Sequence, residues 1–153
     1  MPNHCYQQVE IHGPRTKVQE LYEYLLVNDD PEFLQHIVPM PEEVNDAPPT
    51  REVGGYELPA WYAWRVKNWG TKWDVCDVQI TNPLTIQGDE NASFSFNCWT
   101  AWSPPVPVWD KLVEMGLSVD ADYQDEGMYF EGRYVNGEDK CWEPDLDEEE
   151  EDA

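Results

Sequence analysis

The chain has 153 residues and a mass of 17.8 kDa, enough for one domain with a core of its own. Nine basic residues stand against 32 acidic ones, a formal charge of −23, which argues against direct binding to nucleic-acid phosphate or to an anionic membrane surface. Aromatic residues make up 13% of the chain, with eight Trp and eight Tyr, so a wholly disordered chain is excluded as well.

Taken in chain order, the first expected element is a strand from Cys5 to His12. Its alternation puts Gln7, Val9 and Ile11 on one face and Tyr6, Gln8, Glu10 and His12 on the other. Gly13-Pro14 ends it, and Pro14 suits the first turn of a helix. That helix is predicted to reach about Val27, with Val18, Leu21, Tyr22 and Leu25 at i, i+3, i+4, i+7 spacing. The apolar stretch Phe33 to Val38 reads as a second strand. A long Pro-rich loop follows, and after it an aromatic helix from Pro59 to Trp69 that Gly70 would cap.

Trp73 to Thr81 reads as a strand broken by Asn82-Pro83. Its alternation sets Cys76, Val78 and Ile80 against Trp73, Val75, Asp77 and Gln79. Ala92 to Thr100 is the next strand, with Phe94, Phe96 and Cys98 inward and Ser93, Ser95, Asn97 and Trp99 outward. Ser103-Pro104-Pro105 opens an amphipathic helix from Val106 to Met115, stopped by Gly116. Leu117 to Tyr123 and Met128 to Val135 then form a hairpin across Asp125-Glu126-Gly127. Glu143 to Ala153 is almost all acidic and is expected to be a disordered tail.

The expected fold class is α+β: a largely antiparallel sheet with helices packed on one face. A ferredoxin-like β-α-β-β-α-β arrangement fits the order, in one domain over 1–142 with an aromatic-rich helical insert at about 39–70.

Cys5, Cys76, Cys98 and Cys141 contain no C-x-x-C pair. Their spacing matches neither a disulfide scaffold nor a zinc module with His4, His12 or His36, and they read as free thiols in a reducing cytosol. No apolar run approaches the ~18 residues of a membrane span. The opening MPNHCYQQVEIHG shows no basic region followed by an apolar stretch, so no secretory leader is expected.

Several strings carry a family likeness: Met1-Pro2-Asn3 with Cys5, Val38-Pro39-Met40-Pro41-Glu42-Glu43, Asn68-Trp69-Gly70-Thr71-Lys72-Trp73-Asp74, Thr100-Ala101-Trp102-Ser103-Pro104-Pro105, and the Gly127 to Gly132 hairpin. With these the chain resembles the YubB-like family of small proteins carried by conjugative plasmids and phages. His4 stands where that family typically has Trp. The resemblance implies a ferredoxin-like fold, a mobile-element origin and a bacterial cytoplasm. It implies no mechanism.

The sequence has no P-loop, G-x-G-x-x-G, H-E-x-x-H or G-x-S-x-G. Two weaker enzymatic arrangements are present: a Cys98–His12 nucleophile pair, and the carboxylates Asp120 and Asp122 on one strand face. Their ordinary readings are a packed thiol, a surface imidazole and a solvated strand. The Asn68–Asp74 string reads as a corner that fixes a helix against the sheet. In that reading Gly70 has a positive φ, Lys72 and Asp74 pair, and Trp69 and Trp73 clamp the turn. Ser103 reads as a helix N-cap.

Charge is the more informative signal. Leaving out the eight acids between Glu143 and Asp152 leaves 24 against nine bases, a net −15, so the tail alone does not explain the acidity. The open sheet face is expected to carry Tyr6, Glu10, Trp73, Asp77, Trp99, Asp120 and Asp122. Aromatics on such a face resemble an RNA-recognition module, but the surrounding carboxylates would repel phosphate. They suit a basic protein partner instead, with the aromatics as anchors and the charge steering encounter. A charge of −23 equals that of about 12 base pairs of duplex, so mimicry of DNA is physically reasonable. The expected function is a non-enzymatic, acidic binding protein of a plasmid or phage that inhibits a basic host protein. It needs no cofactor or metal. The alternatives are a carboxylate-based, metal-assisted enzyme using Asp77, Asp120 or Asp122, and a homodimer that covers its own sheet.

Overall fold

Alternation of apolar and polar side chains from Cys5 onward makes a strand buried on one side. In the computed structural model, which describes residues 4–28, 31–44, 47–49 and 59–143, that strand is β1 (His4–Pro14). It leads directly into α1 (Arg15–Val27), which buries Val18, Leu21 and Leu25 at i, i+3 and i+7. Then come α2 (Phe33–Ile37), a 3-10 turn (Glu42–Val44) and α3 (Ala60–Asn68). The hairpin β2 (Cys76–Gln87) and β3 (Asn91–Ala101) precedes α4 (Val106–Glu114), and β4 (Ser118–Asp125), β5 (Glu131–Val135) and β6 (Glu138–Trp142) follow.

The fold is α+β: one open, antiparallel six-stranded sheet in the order β2-β3-β1-β4-β5-β6, with four helices among the described residues. Val9 and Ile11 of β1, Phe94 and Phe96 of β3 and Val119 and Ala121 of β4 pack into one cluster with Val18 and Leu21 of α1 and Trp109 and Leu112 of α4. Each such buried side chain contributes about 1.5–3 kcal/mol. The described helices thus cover one face, and the other is bare of any described helix. None of the described helices is long and apolar enough to cross a membrane.

Three expectations are corrected. Phe33–Ile37 is a helix, not a strand. Its first-turn donors are met from 40 residues away: the Asp74 carboxylate accepts Leu34 N–H at 2.8 Å and Gln35 N–H at 3.0 Å. The strand expected from Trp73 starts only at Cys76, and Pro83 does not end it. β2 is an edge strand with register shifts at Cys76/Gln79, Ile80/Asn82 and Asn82/Thr85, and Pro83 sits in the last of them, where no ladder donor is needed. A sixth strand, β6, was not expected at all. The acidic tail from 144 onward and the 50–58 part of the Pro-rich loop lie outside the described residues.

The two strings singled out in sequence are fastened to each other. Thr71 Oγ1 donates to the Ala101 carbonyl at 2.8 Å and accepts Ala101 N–H at 3.0 Å. Ser103 Oγ donates to the Gly70 carbonyl, so it is a tie between loops and not the expected cap of α4, which starts without a side-chain cap. Gly70 has φ +79°, and Trp69, 1% exposed, donates its indole N–H to the Val38 carbonyl at 2.8 Å. The expected Lys72–Asp74 pair does not form. Asp74 holds α2 and Val75 N–H, and the Lys72 ammonium lies over the rings of Tyr62, at 5.2 Å, and of Trp73 and Trp102, each at 5.5 Å.

Candidate docking face

Directly opposed residues in an antiparallel pair point to the same side, so the register maps the uncovered face as rows that cross all six strands. The first row runs Cys76, Trp99, Tyr6, Gln124, Glu131, Trp142. The second runs Gln79, Asn97, Gln8, Asp122, Arg133, Lys140, and the third Asn82, Ser95, Glu10, Asp120, Val135, Glu138. Over these rows five carboxylates face two cations, a net −3.

Five of the seven residues expected on this face are brought together on it: Tyr6, Glu10, Trp99, Asp120 and Asp122. Tyr6 and Trp99 meet with ring centroids 4.9 Å apart. Trp73 lies in the loop before β2, at the corner of the face, with its ring 6.2 Å from that of His4, which in turn meets Trp99 edge-on at 6.1 Å. Asp77 is exposed at φ +51° inside the first bulge, where Asp77 and Val78 together oppose Cys98. The bulge reverses the alternation of β2. Cys76 opposes the outward Trp99, whereas Ile80 opposes the buried Phe96, so these two do not share a face as periodicity predicts.

Arg133 is the residue that sequence reasoning missed. Its guanidinium grips Asp120 through two hydrogen bonds, Nε to Oδ1 at 3.0 Å and Nη2 to Oδ2 at 2.6 Å, and Nε stands 3.6 Å from Asp122 Oδ1. The pair expected to be the acidic centre of the face is therefore half compensated from within. The expected strand Met128 to Val135 contains Arg133, but only the observed register, with a longer turn, sets it opposite Asp122. Trp142 was missed with β6, and its signal is Asn136-Gly137, a dipeptide that favours a two-residue hairpin turn, here with φ +48° and +103°. Glu131 opens β5, within the expected strand, but was not assigned to the face.

The Cys98–His12 pair is not assembled. Cys98 is fully buried on the helix side, and burial pushes its thiol far above the ordinary range. His12 lies on the opposite face, opposed to Ser93 and Ser118. Among the described residues, no group of three His, Cys, Asp or Glu side chains gathers to hold a metal ion. His36 meets Glu20 at 2.6 Å and stacks on Tyr24 with centroids 4.0 Å apart, on the helical side of the molecule.

A shallow concavity of about 340 Å³ occupies the middle of the bare face, between Thr81 and Asn82 of β2 and Arg133 of β5. Its walls are short polar side chains and carboxylates, which suit contact with a polar, cationic surface. No family model, curated protein or solved structure matches the chain.

Proposed function

We propose that the chain is a non-enzymatic binding protein that docks its bare sheet face on a basic protein. One observation carries this reading: among the described residues a whole face of the six-stranded sheet is left uncovered, with an aromatic row along one end and carboxylates behind it. The aromatics supply contact area in a dry centre, and the charge steers encounter. The resemblance to YubB-like proteins implies a partner in a bacterial cytoplasm that a plasmid or phage has entered. The finer fold that goes with it is ferredoxin-like. The order β2-β3-β1-β4, with α1 and α4 in the two crossovers, supports that arrangement, extended by β5 and β6.

Inhibition by mimicry of DNA is the form of this function that the net charge of −23 favours. Binding to a basic bacterial nucleic-acid-binding protein, measured with duplex DNA as competitor, tests it. The expected outcome is an affinity that falls with salt and is lost as duplex is added. Affinity indifferent to both salt and Trp99→Ala rules the reading out.

A further inference from the structure

A second, smaller depression sits at the end of the bare face opposite β2. It has a volume of about 230 Å³ and is lined by Tyr6, Gln8, Asp122, Gln124, Glu131 and Trp142, over backbone of β4 and β5. We propose that this notch receives an arginine side chain of the partner. The inference rests on the docking reading above and names the chemical group that the face recognises.

The argument starts from the walls. Tyr6 on β1 and Trp142 on β6 close the notch on two sides, three strands apart. At the usual strand spacing their backbones stand about 14 Å apart, which leaves room between the rings for one planar cation. Trp142 is 48% exposed, unusual for an indole and open to stacking. Its N–H donates to Glu131 Oε1 at 3.0 Å, so the wall positions the carboxylate beside it. Asp122 supplies a second carboxylate, and Gln8 and Gln124 add amide oxygens.

No Lys or Arg is among the residues that line the notch. Arg133 is turned to Asp120 with both hydrogen bonds and stands 3.6 Å from Asp122, and Lys140 lies opposite Arg133 in the next row. An aromatic wall with an acceptor beside it binds a cation by ring quadrupole and by charge together. A guanidinium fits better than an ammonium. It is planar, stacks on a ring, and offers several donors to two carboxylates and two amides at once.

The test is an NMR titration of the full chain with agmatine, which carries a guanidinium and an ammonium, and in parallel with 1,4-diaminobutane, a dication in which an ammonium replaces the guanidinium. The Trp142 indole N–H is the reporter. Agmatine is expected to shift the Trp142, Tyr6 and Gln124 signals to saturation, roughly threefold or more tighter than 1,4-diaminobutane. Glu131→Gln with Asp122→Asn is expected to weaken it roughly tenfold. Asp89→Asn, in the β2–β3 turn, is expected to leave it unchanged. Shifts that are absent at Trp142, or that survive the double variant, overturn the proposal. Failure here leaves binding of the basic protein and its competition by duplex DNA to be scored separately. Loss of that binding with the agmatine site intact overturns the docking reading alone.

Discussion

Gly70 stands at φ +79°, a conformation that side chains with a Cβ rarely adopt. A Cβ built there meets Pro107 Cδ at 2.7 Å and the Pro104 carbonyl at 3.3 Å. Strain and clash therefore act together, and Gly70→Val is expected to lower stability by about 1–3 kcal/mol in urea denaturation. An unchanged midpoint would mean that the corner does not hold α3 against the loop before α4. The cysteines differ in a similarly local way. Burial pushes the Cys5 thiol up to about 12 and the Cys98 thiol further, whereas Cys141 is exposed on β6. Iodoacetamide at mildly alkaline pH is expected to label Cys141 in the folded chain and to spare Cys5 and Cys98, as read by mass spectrometry.

Single elements depend on long-range ties that no local pattern reveals. Asp74 accepts the N–H groups of Leu34, Gln35 and Val75, so Asp74→Ala leaves three donors without their partner and is expected to cost about 1–3 kcal/mol. Burial, with the nearby Glu32 charge adding to it, raises the Asp74 carboxyl above its ordinary 3.8, although the three hydrogen bonds pull it down. The folded chain then keeps this proton at pH values where the unfolded chain has lost it. The group's contribution falls as pH rises from the unfolded value through the folded one. The stability gap between the wild type and Asp74→Ala is expected to narrow over that window in denaturation at stepped pH. The same tie explains what was legible in sequence. β1, α1, β3 and α4 declare themselves because their apolar positions repeat at a regular period over eight or more residues. α2 has five residues, too few to tell the two periods apart, and its cap lies 40 residues away. β2 was legible as a strand but not in its facing, because each bulge resets the alternation. β6 is exposed along its whole length and so carries no apolar period. The aromatic part of the candidate face, Tyr6 and Trp99, was thus readable; the Asn136-Gly137 turn was the one sign of its Trp142 part, and the register that sets Arg133 against Asp122 left none.

At the scale of the whole molecule, contact and charge are separable on the bare face. Trp99 is half-buried outside the core and Trp109 is fully buried within it. Trp99→Ala is expected to stay folded and to speed dissociation from a basic partner, while Trp109→Ala is expected to lose about 3–5 kcal/mol of stability. Arg133→Ala removes a cation that opposes the steering field. It is expected to quicken association and to steepen its dependence on salt in stopped-flow measurements, with the fold retained, since exposed ion pairs contribute little to stability. An unaltered rate would mean that the field at Asp120 and Asp122 does not guide the partner. The last described strand ends at Trp142, and the acidic stretch beyond it has no apolar period, so removal of Asp145 to Ala153 is expected to leave the melting temperature nearly unchanged.

The two borders of the sheet are unlike. β2 carries bulges and Pro83, which interrupt any regular ladder on its outer side, whereas β6 is a plain strand with no described strand on its outer side. Two copies that met border to border would join β6 to β6 about a twofold axis, and each would then present only its interrupted side. Such growth terminates at a pair. The uneven borders make the molecule a poor seed for fibres, even at concentrations where a sheet with two plain borders would polymerise.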